Sequence, residues 1–143
     1  MGRVIRVEHS LPYKSKDVWA AITTPRVLKE WCLQTNFTLK KNNPFYFRDK
    51  SRKKELLIHC KVIDYEEDKK LSYIWGDRTH VPTLVSFTLS ETSGGTELQL
   101  VHSGFEGVHG YFASKNFSGV WKKMIKLNLP EAMEKFRYKK VKG

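Results

Sequence analysis

His102 is the residue whose type and placement come nearest to chemistry in this chain. Leu98, Leu100 and His102 fall on one side of an alternating stretch, with Glu97, Gln99 and Val101 on the other. An imidazole set among leucines could act as a general base or orient a bound molecule. Held by a backbone partner, the same ring is simply a satisfied core residue, and no carboxylate beside it in sequence completes a dyad. His9, His59, His80, His102 and His109 are scattered without the spacing to Cys or Asp that a metal site requires. Ser103-Gly104 lacks the flanking residues of a nucleophile elbow. There is no Gly-rich phosphate loop. These readings weigh against an enzyme, and no cofactor or metal is expected.

A second kind of chemistry is electrostatic. The 143 residues carry 26 Lys and Arg against 15 Asp and Glu, a formal charge of +11. Such a surface attracts polyanions without specifying one of them. Lys40-Lys41, Arg48 to Lys54 and Lys139 to Lys142 are basic, with Phe45, Tyr46, Phe47 and Tyr138 nearby. Basic loops with exposed aromatics can track a single nucleic-acid strand. Alternation turns at least half of these aromatics inward, and loops and tails are where solvated charge ordinarily goes, so nucleic acid is the weaker reading. Cys32 and Cys60 match no redox or metal spacing and read as buried free thiols.

The elements that must position these residues follow from periodicity. Arg3 to Ser10 alternates as a half-buried strand. Ser15 is expected to cap a short helix carrying Trp19, and Thr23 or Thr24 a second one with Pro25 at its first position and Val27, Leu28 and Trp31 on one face. From Thr35 to Leu100 the pattern is strand-like. Phe37 and Leu39 alternate, then Phe45 to Phe47, Leu56 to Val62, Leu71 to Trp75, Val85 to Leu89 and Leu98 to His102, separated by polar or Gly-rich turns. Gly119 to Phe136 changes period, and Trp121, Ile125, Leu129, Ala132 and Phe136 recur at helical steps. Pro130 lacks the N–H that would bond the carbonyl of Lys126, so a kink or short break is expected there. The basic tail from Arg137 is expected to fray. Length and composition fit one domain spanning 1–143. With no apolar run of transmembrane length and no signal-peptide pattern, a cytoplasmic location is the default expectation.

The order of the blocks is more specific than any one of them. Asp17-Val18-Trp19, Trp31, Leu71-Ser72-Tyr73-Ile74-Trp75, His102-Ser103-Gly104-Phe105 and Gly119 to Leu127 together resemble the small domains related to the C-terminal part of the Hsp90 ATPase activator. Those domains lie within the START and Bet v 1-like (SRPBCC) helix-grip superfamily. The resemblance implies an α+β helix-grip fold: an antiparallel curved sheet of about six to seven strands wrapped on a long C-terminal helix, with two short helices after strand 1. It departs at Asn43-Pro44, at Val120 between Gly119 and Trp121, and at Pro130.

A cavity between sheet and helix is what such a fold usually leaves. The residues expected to line it, and to hold a small hydrophobic or aromatic ligand, are Trp31, Tyr73, Trp75, Val85, Phe87, Leu98, Leu100, His102, Phe105, Trp121 and Ile125. The same residues could instead fill the core, which the sequence does not decide. If they line a cavity, Ile125→Trp should block uptake. The alternative function is a stress-response or chaperone-associated interaction, by an Hsp90-type chaperone or another acidic partner meeting the basic surface. The family's full activators carry a further N-terminal domain, which weighs against chaperone stimulation by this chain.

Overall fold

The computed structural model describes residues 3–50, 55–77, 79 and 81–142, with the side chains of 108, 109, 111 and 112 left aside. Arg52, Lys53, Lys54 and His80 of the sequence reading lie outside these residues, as does the His109 side chain. Alternation of apolar and polar residues produces seven strands: β1 (Arg3–Leu11), β2 (Gln34–Thr35), β3 (Pro44–Asp49), β4 (Leu56–Glu66), β5 (Lys70–Trp75), β6 (Thr83–Thr92) and β7 (Gly95–Phe105). They form one antiparallel sheet in the order β1-β7-β6-β5-β4-β3-β2. The chain crosses from one sheet edge to the other through α1 (Ser15–Thr23) and α2 (Pro25–Trp31), then returns strand by strand. The closing helical segment is α3 (Gly107–Lys123), a π turn (Met124–Asn128) and α4 (Leu129–Lys135). This is the helix-grip arrangement.

One face of the sheet supplies the core. Val85 stands opposite Tyr73 on one side and His102 on the other, and Phe87 opposite Leu71 and Leu100. All these side chains are buried, as are Trp31, Trp121, Ile125 and Leu129 facing them from the helices. Burying a large apolar side chain stabilises the fold by about 1.5–3 kcal/mol, so this face carries most of the favourable energy. The Trp31 indole also donates to the Ala21 carbonyl at 2.9 Å, tying α2 to α1.

Several local expectations are corrected. Ser15 is the first helical residue rather than the cap, and its hydroxyl donates to Glu91 at 2.8 Å, across to β6. Phe37 and Leu39 lie beyond β2 in a loop, although Phe37 is buried and packs edge-on against Phe45. Arg48 and Asp49 belong to β3, since they pair with Leu57 and Leu56, so the basic hairpin loop begins later. The terminal helix starts at Gly107, well before Gly119. Glycines at 107, 110 and 119 weaken the local helical signal, and tertiary packing overrides it.

Pro130 is absorbed without breaking the helix. The turn before it widens, and the Leu129 N–H bonds the Met124 carbonyl, five residues back. A π turn relieves the clash of the proline ring with the carbonyl four residues earlier. It also keeps Ile125, Leu129 and Met133 facing the sheet, all fully buried. The tail is pinned rather than frayed: Tyr138 N–H bonds the Met133 carbonyl, and Val141 N–H bonds the Pro12 carbonyl at 2.8 Å. Lys140 pairs with Tyr13 as an isolated antiparallel bridge.

Candidate functional site

His102 sits at the centre of a hydrogen-bonded chain. The Trp121 indole N–H donates to His102 Nδ1 at 3.0 Å. His102 Nε2 lies 2.7 Å from Thr83 Oγ1, which is itself 3.3 Å from the Trp75 carbonyl. An indole nitrogen only donates, so Nδ1 must be the acceptor and a neutral ring carries its proton on Nε2. That proton goes to Thr83, and the Thr83 hydroxyl proton goes on to Trp75. His102 is fully buried, and the loss of water lowers its pKa from 6.5 to about 3. The ring is therefore neutral at physiological pH with both nitrogens engaged. It cannot take a proton from Thr83, because Nε2 is already protonated, and transferring that proton to Nδ1 would set two donors against each other. The arrangement positions groups and excludes general-base chemistry at this residue.

A cavity of about 470 Å³ opens beside this chain, at one end of the sheet under the first half of α3. Leu56, Leu57, Ile58 and His59 of β4 form one wall, and Trp75, Gly76, Thr79, Val81 and Thr83 bring in β5, β6 and the loop between them. Phe105, Glu106, Gly110, Ala113 and Phe117 form the opposite wall. Its lining is mainly hydrocarbon and aromatic. The volume lies in the range of small-molecule sites.

Two glycines shape that wall. Gly104 has φ +93° and kinks the end of β7. Strict alternation would point residue 104 inward; the kink brings Phe105 in instead, where it is buried 4.6 Å from the His102 ring. Gly110 lets α3 approach, since a Cβ there would fall 2.7 Å from the Phe105 carbonyl carbon. The His-Ser-Gly-Phe run thus has a physical reading: a relay histidine, a bend, and a cavity wall.

Of the eleven residues that the sequence places around a ligand, Trp75 and Phe105 line this cavity. Trp31, Tyr73, Val85, Phe87, Leu98, Leu100, His102, Trp121 and Ile125 lie in the packed core next to it, each at most 2% exposed. Ile125 fills core space, so enlarging it would overpack the interior rather than plug the opening. The wall residues Ala113 and Phe117 escape the sequence reading. The signal for them is there: 113, 117, 121, 125 and 129 continue one stripe at steps of four, and a helix drawn back to Gly107 would have included them.

Two other features are charged or inert. Lys14, Lys16, Arg137, Lys139, Lys140 and Lys142 surround a cleft of about 460 Å³ where the pinned tail crosses the start of α1, with Asp17 among them. Cys60 is buried and Cys32 partly so. Burial pushes the Cys32 thiol up to about 12 and Cys60 higher still, so neither is a ready nucleophile. Among the described residues no three His, Cys, Asp or Glu side chains gather as metal ligands. No described helix is long and apolar enough to cross a membrane.

This geometry has close counterparts. The sequence profile of the family described as Activator of Hsp90 ATPase homolog 1-like protein matches residues 12–134. Among solved structures, protein MLL2253 from Mesorhizobium loti is 25% identical, with a TM-score of 0.83 over 93% of this chain and 98% of that one. Protein NE0264 from Nitrosomonas europaea is 19% identical, with a TM-score of 0.79 over 94% and 96% of the two chains. DynU16, from the dynemicin biosynthetic locus, is 20% identical, with a TM-score of 0.77 over 96% of this chain and 49% of that one. No curated protein matches the chain.

Proposed function

The chain belongs to the Activator of Hsp90 ATPase homolog 1-like family, and on that premise we propose that it binds one small apolar molecule in the cavity between β4, β5 and α3. The observation that carries this reading is the cavity itself, about 470 Å³ and walled by Leu56, Ile58, Trp75, Phe105, Ala113 and Phe117. Removing an apolar ligand from water into such a space is favourable by about 25 cal/mol per Å² of apolar surface covered. The role proposed is binding rather than turnover: His102, the one buried histidine among the described residues, has both ring nitrogens engaged. The working unit is a single domain over 1–143, acting in the cytoplasm. Native mass spectrometry of protein purified from its own cells, followed by organic extraction, tests the reading. An apolar molecule released in stoichiometric amount from wild type and absent from Ala113→Trp supports it. An apo mass for the wild type counts against it.

A second reading is favoured by the cleft around Lys14, Lys16, Arg137 and Lys140. A concave basic surface suits an acidic protein segment, including one on a chaperone, and such an encounter is steered by charge. A pull-down whose yield is the same for wild type and for a variant with Lys139, Lys140 and Lys142 reversed to Glu would remove it.

A further inference from the structure

The polar groups at the cavity wall are not neutral as to what they accept. Thr83 lines the cavity and touches His102. Its hydroxyl receives the Nε2 proton of His102, at 2.7 Å, and gives its own proton to the Trp75 carbonyl. The direction of this chain is fixed from the far end, by the donor-only indole of Trp121 on Nδ1. A hydroxyl oxygen has two lone pairs, and one remains. Thr79, at the more exposed rim, is spent in the same sense: its hydroxyl donates to the Gly76 carbonyl at 2.7 Å. Among the described lining residues Thr83 and Thr79 thus each present a lone pair, while the His59 imidazole on β4 and the Trp75 indole on β5 are the nitrogen-bearing groups of the same lining. Glu106, which is exposed, is the one carboxylate among the described lining residues.

Building on the cavity reading above, we infer that Thr83 selects the ligand: a neutral apolar molecule bearing one hydroxyl donor, a phenol or an alcohol, with its O–H directed at Thr83 Oγ1. Carboxylates of the same size are disfavoured. At Thr83 an ionised carboxylate brings only lone pairs to a lone pair, and its charge enters a mainly apolar space. Hydroxylated aromatics and other alcohols small enough for the cavity satisfy that acceptor.

Three probes of like shape separate the cases: 1-naphthol, 1-methylnaphthalene and 1-naphthoate, titrated calorimetrically at pH 7 into the full chain. A net hydrogen bond distinguishes the first two by roughly 3- to 10-fold. The expected order is naphthol, then methylnaphthalene, then naphthoate. In Thr83→Val the naphthol advantage should fall to about onefold, and in Thr83→Ser it should return. Nitrogen-15 spectra of the wild-type imidazole should show protonated Nε2, a readout independent of whether either variant folds. Equal affinity for naphthol and methylnaphthalene in the wild type overturns the inference while leaving the cavity reading intact. So does a preference that survives in Thr83→Val, or a ring protonated on Nδ1. Failure of all three probes to bind overturns the cavity reading, and this inference with it.

Discussion

Acid should destabilise this protein through His102 more than through any surface group. The ring is fully buried and its pKa is lowered from 6.5 to about 3 by the loss of water. In the unfolded chain it titrates near 6.5. Between the two values the unfolded state holds a proton that the folded state does not, so stability rises with pH. The contribution is complete above about pH 6.5 and is lost as pH falls toward 3. At about 1.4 kcal/mol per pH unit, the gap from 6.5 to pH 5 amounts to roughly 2 kcal/mol. For a chain of this length that is a drop in Tm of about 6–8 °C. The control is His102→Gln, whose amide oxygen can accept from Trp121 and whose NH₂ can donate to Thr83, but which does not titrate. Urea unfolding of both proteins at pH 7, 6, 5 and 4 gives the comparison. His9, also lowered by burial, and all the carboxylates are common to both proteins. The wild type should lose about 2 kcal/mol more than the variant between pH 7 and 5. Parallel pH profiles would refute the reasoning, because they would mean that the buried ring is not held neutral.

Other consequences follow from the same packing. Gly95→Ala should cost at least about 2–3 kcal/mol, since φ is +144° and the new Cβ would fall 2.1 Å from the Leu11 carbonyl oxygen; a thermal melt within 2 °C of wild type would contradict the geometry. Trp121→Phe deletes the donor to His102 Nδ1 and leaves a small void, and should lower unfolding free energy by about 2–4 kcal/mol in urea. Cys32 and Cys60 should react with an aromatic disulfide at pH 8 far more slowly in the folded protein than in urea, because burial keeps both thiols protonated. Labelling of the native state at the rate of a free thiol would be inconsistent with that.

Alternation along single strands carried most of the fold in sequence. Tyr73 and Trp75, Val85 and Phe87, and Leu98 and Leu100 face the core as their spacing requires. Ordered blocks then arranged those strands into the right sheet. What escaped depends on partners that are remote in the chain. Ser15 gives its hydroxyl to Glu91 rather than to a cap, which no local pattern signals. The tail is fixed by Pro12 and Tyr13, on the other side of the sequence. The π turn before Pro130 was legible only as a disturbance, because the packing of Leu129 and Met133 decides how the helix repairs itself.

The site was legible to a smaller extent. Inward-facing residues could be identified, but whether they fill or line depends on how far apart the layers stand. Trp121 and Phe87 meet with ring centroids 6.1 Å apart and close the middle of the molecule. Near Phe105 the layers part, and the opening falls to residues on α3 that two glycines had hidden from a helical reading. His102 is one of four buried polar residues among those described, with Ser15, Thr96 and Ser114. Its partners are side chains, Trp121 and Thr83, rather than backbone.

The central claim is that the space walled by Ala113, Phe117 and Trp75 holds a ligand. The most direct measurement is a calorimetric titration of 1-methylnaphthalene, a probe that needs only apolar room, into wild type and into Ala113→Trp. Ala113 is half-buried on the helix wall, so a larger side chain there can occupy the cavity without entering the packed core. The account predicts saturable one-to-one binding to the wild type and at least a tenfold loss in the variant, with unchanged circular dichroism. Equal binding by the two proteins, or no binding by either, would contradict it.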